Sequence, residues 1–223
     1  MPYLLMAAQT CRKKCWMVSP YGPIVGMLYI PVDVRPWVIS EIMIDKDEMA
    51  QYVFQYTVSN MNWIPNAWKM PICRKILAPL SIWAMDRLEA IPVYRNKPAQ
   101  LTKTFRQSVD ALQSGDNLLI FPENPNAKGK NSGYIQGGLG ELYSGFTLLA
   151  QLYWKKAGKQ CRFIPMYCHR RMRTMTFGKP IIYDPSNDPD LERERISQEA
   201  WNTMSEIYQE EESQWLKKHN KST

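Results

Sequence analysis

Histidine is scarce in this chain: His169 and His219 are its two in 223 residues. That leaves little for a zinc pattern and little for a general base. Cysteine adds no metal motif. The five thiols, at 11, 15, 73, 161 and 168, are odd in number and scattered, and are expected to be reduced, as in a cytosolic setting. No serine stands in a Gly-x-Ser-x-Gly elbow, and Cys168 and His169 are neighbours whose side chains diverge in a strand. No apolar run approaches the roughly 20 residues of a membrane-spanning helix. A secretory leader is not expected, because Cys11-Arg12-Lys13-Lys14-Cys15 follows only a short apolar start. Internal repeats, low-complexity tracts and domain-sized linkers are also missing.

What is present is an ordinary globular composition, 45% hydrophobic and 22% charged, with 8 Trp, 13 Met and 16 Pro. The length suits one domain with a real core. The net charge of +7 is unevenly placed. Lys155 to Lys179 holds eight basic residues and no acid, whereas Asp184 to Glu212 holds ten acids against Arg193 and Arg195. The basic block suits either a phosphate-bearing partner or a solvated face. The acidic run suits the outer face of a helix.

The order of elements predicts an α/β fold: a single domain with a mixed, mostly parallel sheet flanked by helices. The clearest helix is Pro98 to Gln113, with Leu101, Phe105, Val109 and Leu112 on one face and Gly115 at the exit. Strands at Ala90–Tyr94 and Asn117–Phe121 flank it, which predicts a βαβ unit and a parallel pair. Arg95 and Glu123 would then leave at one edge of the sheet. Further expectations are a helix over Leu139–Lys156, strands at Arg162–Tyr167 and Arg173–Phe177, and a last helix capped by Asp190. Gly137-Gly138-Leu139-Gly140 before the second helix resembles a phosphate loop but lacks its Lys-Ser/Thr. It reads as a flexible turn or a weak anion contact.

Trp63 to Met85 mixes Trp63, Trp68 and Trp83 and many aliphatics with Lys69, Arg74 and Lys75. It fits an interfacial segment, or a core segment covered by basic stems.

The most informative run is Leu118-Leu119-Ile120-Phe121-Pro122-Glu123-Asn124. An apolar strand stops at Pro122 and leaves a carboxylate where it ends. In open α/β sheets that end of the strands is where ligands bind. Together with Ile91-Pro92-Val93-Tyr94-Arg95, Phe163-Ile164-Pro165-Met166-Tyr167 and Phe177-Gly178-Lys179-Pro180, it resembles the ordered motifs of the glycerolipid acyltransferases, in particular the 1-acyl-sn-glycerol-3-phosphate acyltransferases. The similarity spans about Tyr21 to Pro185, leaving 1–20 unmatched and 186–223 as a C-terminal helix and tail.

The resemblance implies a glycerol-3-phosphate acyltransferase-like fold. It implies transfer of a fatty acyl group from acyl-CoA or acyl carrier protein to a lysophospholipid such as lysophosphatidic acid, in phospholipid biosynthesis. No metal or cofactor is implied, since the thioester brings its own activation. The implied setting is peripheral, on the cytoplasmic face of a membrane, with no nucleic acid as partner. Arg95 would clamp the phosphate with its planar fork of donors, or form a surface ion pair. Glu123 would hold a glycerol hydroxyl or steady Arg95, or be a turn carboxylate. Phe121, Pro122 and Asn124 complete that binding motif, with Asn124 where the family has Gly. Pro165 would shape a pocket wall or simply pack.

One motif is missing. The family's His-x-x-x-x-Asp should lie upstream of Arg35-Pro36-Trp37, and counting back puts Met17 in the His slot and Gly22 in the Asp slot. A thioether cannot take a proton from an alcohol at neutral pH. His169 has Thr174 five places on, and next to Arg170 and Arg171 it reads as part of the basic face. Loss of a general base costs about 10²–10⁴-fold in rate. The expectation is therefore an impaired enzyme, or a non-catalytic relative that binds acidic phospholipid or a membrane surface. A nucleic-acid binder would rest on the basic block alone, without a motif.

Overall fold

The computed structural model describes residues 3–9, 30, 32–94, 97–123, 139–169, 172 and 174–219. In chain order its elements are β1 (Tyr3–Gln9), β2 (Val34–Ile39), α1 (Ser40–Ile44), α2 (Lys46–Tyr56), α3 (Asn66–Ile72), a π turn (Cys73–Leu77), α4 (Ala78–Arg87), β3 (Ile91–Val93), α5 (Pro98–Ser114), β4 (Asn117–Ile120), α6 (Leu148–Ala157), β5 (Arg162–His169), β6 (Thr174–Phe177), β7 (Ile181–Ile182) and α7 (Pro189–His219). The fold is mixed α/β with mostly parallel pairing and flanking helices. By contact density it separates into two compact units, one of Met1–Lys13 with Val109–Thr223, the other of Lys14–Ser108.

In the first unit β1 is the central strand. It runs parallel to β4 on one side, Met6 opposite Ile120, and parallel to β5 on the other, Met6 opposite Pro165. Antiparallel β6 and β7 pair with β5 beyond it. Leu4, Leu5, Met6, Leu118, Leu119, Phe163 and Met166 are all buried. Such continuous burial is what a parallel sheet demands of its strands. Pro165 is tolerated because it falls between the residues that pair with β7 (Arg162, Phe163) and those that pair with β6 (from Met166). Its carbonyl instead accepts the Gly178 N–H at 2.7 Å. A Cβ on Gly178 would come within 2.4 Å of Thr203 Cγ2 on α7. Gly178→Ala is therefore expected to cost about 1–3 kcal/mol by overpacking. Thermal melts should show the loss, and Thr203→Ser in the same chain should recover much of it. An unchanged melting temperature would show that the contact is loose.

In the second unit β2 pairs in parallel with β3, Val38 opposite Pro92. Thr104 of α5 bonds the Pro92 carbonyl at 2.7 Å, and Trp37 Nε1 donates to Ser108 Oγ at 2.9 Å. The α3–α4 segment is one helical run interrupted by the π turn. Pro79 has no N–H to give the preceding turn. Ala78 N–H bonds the Cys73 carbonyl, five residues back. The step of five keeps Cys73 and Ala78 both on the core, beside Met49, Val53 and Val58. Lys69 is buried on the same side and donates to the Ser59 carbonyl at 3.1 Å.

Several expectations change. The two strands of the expected βαβ unit lie in different units: β3 pairs with β2, whereas β4 pairs with β1. β1 itself, in the stretch left unmatched, fills the place beside β4. The helix expected from Leu139 begins only at a 3-10 turn, Ser144–Thr147, and continues as α6. Before it the backbone is drawn out by bonds to the β4 exit: Tyr143 N–H donates to the Pro122 carbonyl at 2.8 Å. The last helix is capped by Asp188, whose Oδ1 accepts the amides of Asp190 and Leu191. Pro189 takes the first helical position, where a missing N–H costs nothing.

Candidate functional site

β4 is the shortest of the three parallel strands of its unit. Its pairing with β1 stops at Ile120, while β1 and β5 continue in register to Gln9 and Cys168. Phe121-Pro122-Glu123 therefore leaves the sheet early, at a step in its carboxyl edge. Pro122 enforces the exit, because a ring in place of N–H cannot extend the ladder.

Glu123 does not swing into solvent. It is 8% exposed and forms an isolated antiparallel bridge with Leu142. Its Oε1 accepts the Gly140 N–H at 3.4 Å. Trp201 of α7 holds the other side of that loop, donating Nε1–H to the Gly140 carbonyl at 3.1 Å. The Gly140 amide thus faces a carboxylate of the chain itself, whereas Gly137 and Gly138 of that glycine run lie outside the described residues. A cleft of about 680 Å³ adjoins the loop, lined in part by Gly140, Leu142, Ser144, Arg193, Ser197 and Trp201. Arg193 Nη1 donates to Asp190 Oδ1 at 3.1 Å, and its buried Nε has no hydrogen-bond partner among the described residues. Sequence reading missed this cation. It stands in the acidic run, where it looks outnumbered, and helical spacing alone does not bring it to the loop before α6.

Of the residues expected at the site, Phe121 is half-buried, and Pro122, Glu123 and Pro165 are buried. Pro165 lies two strands from Ile120, about 10 Å at usual strand spacing. Arg95, Asn124, Met17 and Gly22 lie outside the described residues.

His169 is not part of a basic face. It is 3% exposed, at the end of β5. Its Nδ1 accepts the Met172 N–H at 3.1 Å, which fixes the proton on Nε2, and Nε2 then donates to Glu212 Oε2 at 3.1 Å. With one nitrogen filled and the other protonated, this imidazole cannot take a proton from an alcohol. His219 ends α7, stacked on Trp215 and facing the Trp215 carbonyl. The acidic run also turns partly inward: Glu211 accepts from Thr174 and Thr176, and Glu192 is buried. Cys161 is a poor nucleophile, since burial pushes its thiol up to about 12. Among the described residues no group of His, Cys, Asp and Glu is placed to hold a metal. In comparisons with known proteins, no protein-family model matches the chain and no curated protein matches it significantly.

Proposed function

We propose that this chain is a glycerolipid acyltransferase-like protein that takes a lysophospholipid phosphate as acceptor and an acyl thioester as donor, with transfer impaired by lack of a general base. The single observation that carries the reading is Glu123. It is a buried carboxylate held at the abrupt end of a parallel strand, preceded by Phe-Pro, on the edge where α/β sheets bind ligands. Held by the Gly140 amide, it is an acceptor of fixed position, suited to a glycerol hydroxyl. The phosphate needs a cation, the role that the resemblance gives to Arg95, which lies outside the described residues.

A second reading has one specific observation behind it. His169 has both nitrogens engaged, and His219 sits on the last turn of α7. A protein without a base can still bind acidic phospholipid. Release of free thiol from acyl-CoA, followed with and without lysophosphatidate, separates the two. The transferase reading expects slow, lysophosphatidate-dependent release. Glu123→Gln is expected to weaken lysophosphatidate binding about tenfold, the worth of one hydrogen bond to a charged group. Release that ignores lysophosphatidate, together with unchanged binding by the Gln variant, would overturn both the acceptor and the role of Glu123.

A further inference from the structure

We infer that the outward face of α3, the π turn and α4 is a docking surface for an anionic lipid bilayer. Trp63, Trp68 and Trp83 are 80%, 65% and 56% exposed, and Ile76 and Leu80 are exposed between them. Isolated exposed apolar residues are normal, but a contiguous strip of this size marks an interaction site.

The π turn sets the course of the strip. In a regular α-helix Trp83 would overshoot Trp68 by roughly 60° after four turns. The extra residue taken up at Cys73–Leu77 turns the helix back by roughly 100°, so that Trp83 falls about 40° to the other side of Trp68. Trp68, Ile76, Leu80 and Trp83 are exposed, while Lys69, Cys73, Ala78, Ser81 and Met85 are buried and Ile72 packs partly against the core. Beside the strip lies an apolar cleft of about 560 Å³ walled by Trp63, Ile64, Pro65, Trp68, Ile72 and Leu77. Almost nothing polar faces into it, which suits an acyl chain.

Charge decides the occupant. Of the cations on the segment Lys69 is buried, which leaves Arg74, Lys75 and Arg87 exposed against Asp86, the one acidic residue from Met49 to Arg87. Arg74 and Lys75 are exposed beside the strip. Arg74 is shared with Asp47 at 2.8 Å, and Arg87 lies over the Trp83 ring at 5.7 Å. A second copy of this chain would set like charges against each other. A bilayer with anionic headgroups offers the opposite: Trp settles at the headgroup layer, aliphatics reach the acyl boundary, and each cation near the surface gains about a further factor of five in binding. No described helix is long and apolar enough to cross a membrane, so the segment would lie flat on the surface.

This docking face presupposes the lipid reading above, but its test needs neither acceptor nor thioester. The full chain is sedimented with phosphatidylcholine vesicles containing or lacking phosphatidylglycerol. Binding should be strong only with phosphatidylglycerol, should fall with salt, and should shift Trp emission to the blue. Trp68→Ser with Trp83→Ser should lose at least about tenfold in partition. Lys75→Glu, at an exposed position that leaves the core untouched, should lose about 25-fold on anionic vesicles, since it removes a cation and adds an anion. Vesicle binding that survives both variants overturns the inference. So does a concentration-dependent dimer that the Trp variants abolish while vesicles are ignored. Absent acyl transfer with intact vesicle binding would count against the enzyme reading alone.

Discussion

Glu192→Ala should lower stability by about 3 kcal/mol at neutral pH, and the melting temperature by about 6–12 °C. Glu192 is 1% exposed in the first turn of α7. Its Oε1 accepts the Asp184 N–H at 2.8 Å and Arg195 Nη2 at 2.6 Å. Its Oε2 accepts Asn187 Nδ2 at 3.0 Å and Arg195 Nε at 2.9 Å. The guanidinium bond first, then the Asp184 and Asn187 donors, outweigh desolvation and hold the carboxyl near 2. The helix N-terminus favours the anion as well. Because the folded value is depressed, the stabilisation is complete above the ordinary carboxylate range. It is lost as pH falls from about 4.5 through about 2. Circular-dichroism melts between pH 7 and pH 2 would show an acid-sensitive parent and a variant already weakened at pH 7 and less sensitive below it. Glu192→Gln should resemble the Ala variant, since its amide group presents donors to donors. A Gln variant that melts with the parent would mean the carboxylate's charge is not what fixes the start of α7.

How far such features can be read from sequence depends on how local their causes are. α5 is legible because Leu101, Phe105, Val109 and Leu112 repeat on one face and Gly115, at φ 96°, ends it in a backbone few other residues accept. The β4–Glu123 exit is legible because Pro122 acts on its immediate neighbours. β1 is not: Leu4-Leu5-Met6 is too short a run to distinguish a doubly buried strand from any apolar segment. Its meaning depends on β4 and β5, both more than a hundred residues away. The π turn is illegible for another reason. One extra residue between Cys73 and Ala78 breaks the 3.6 period from which helices are inferred. At the site, Glu123 is visible but its partner Gly140 is not, since the bond closes a loop whose geometry no spacing encodes. His169 misleads because Arg170 and Arg171 suggest a charged surface, whereas its partner Glu212 arrives from α7. The inward turn of Glu192 has the same origin: a helix hides some of its acids once another element offers donors.

The double substitution Met17→His with Gly22→Asp is expected to raise lysophosphatidate-dependent acyl transfer by about 10²-fold or more, the scale on which a positioned general base acts. The base must remove the acceptor hydroxyl proton as oxygen attacks the thioester carbonyl; the carbonyl–sulfur bond then breaks and the thiolate takes up the proton. Of the two described imidazoles, His169 cannot do this, and His219 stands on the last turn of α7. His169 donates from Nε2 to Glu212 and accepts at Nδ1. The new pair must therefore supply both parts of the device, an imidazole to accept the proton and a carboxylate to hold its tautomer. Met17→His alone should give a smaller gain, because an unheld ring samples unproductive orientations. On the transferase reading proposed above, both variants should keep the parent's KM for lysophosphatidate, since they leave its proposed contacts untouched, so the gain should appear in kcat. A double variant with unchanged kcat would remove Met17 and Gly22 from the catalytic slot. If binding also persisted, it would favour a chain that holds acidic lipid without transforming it.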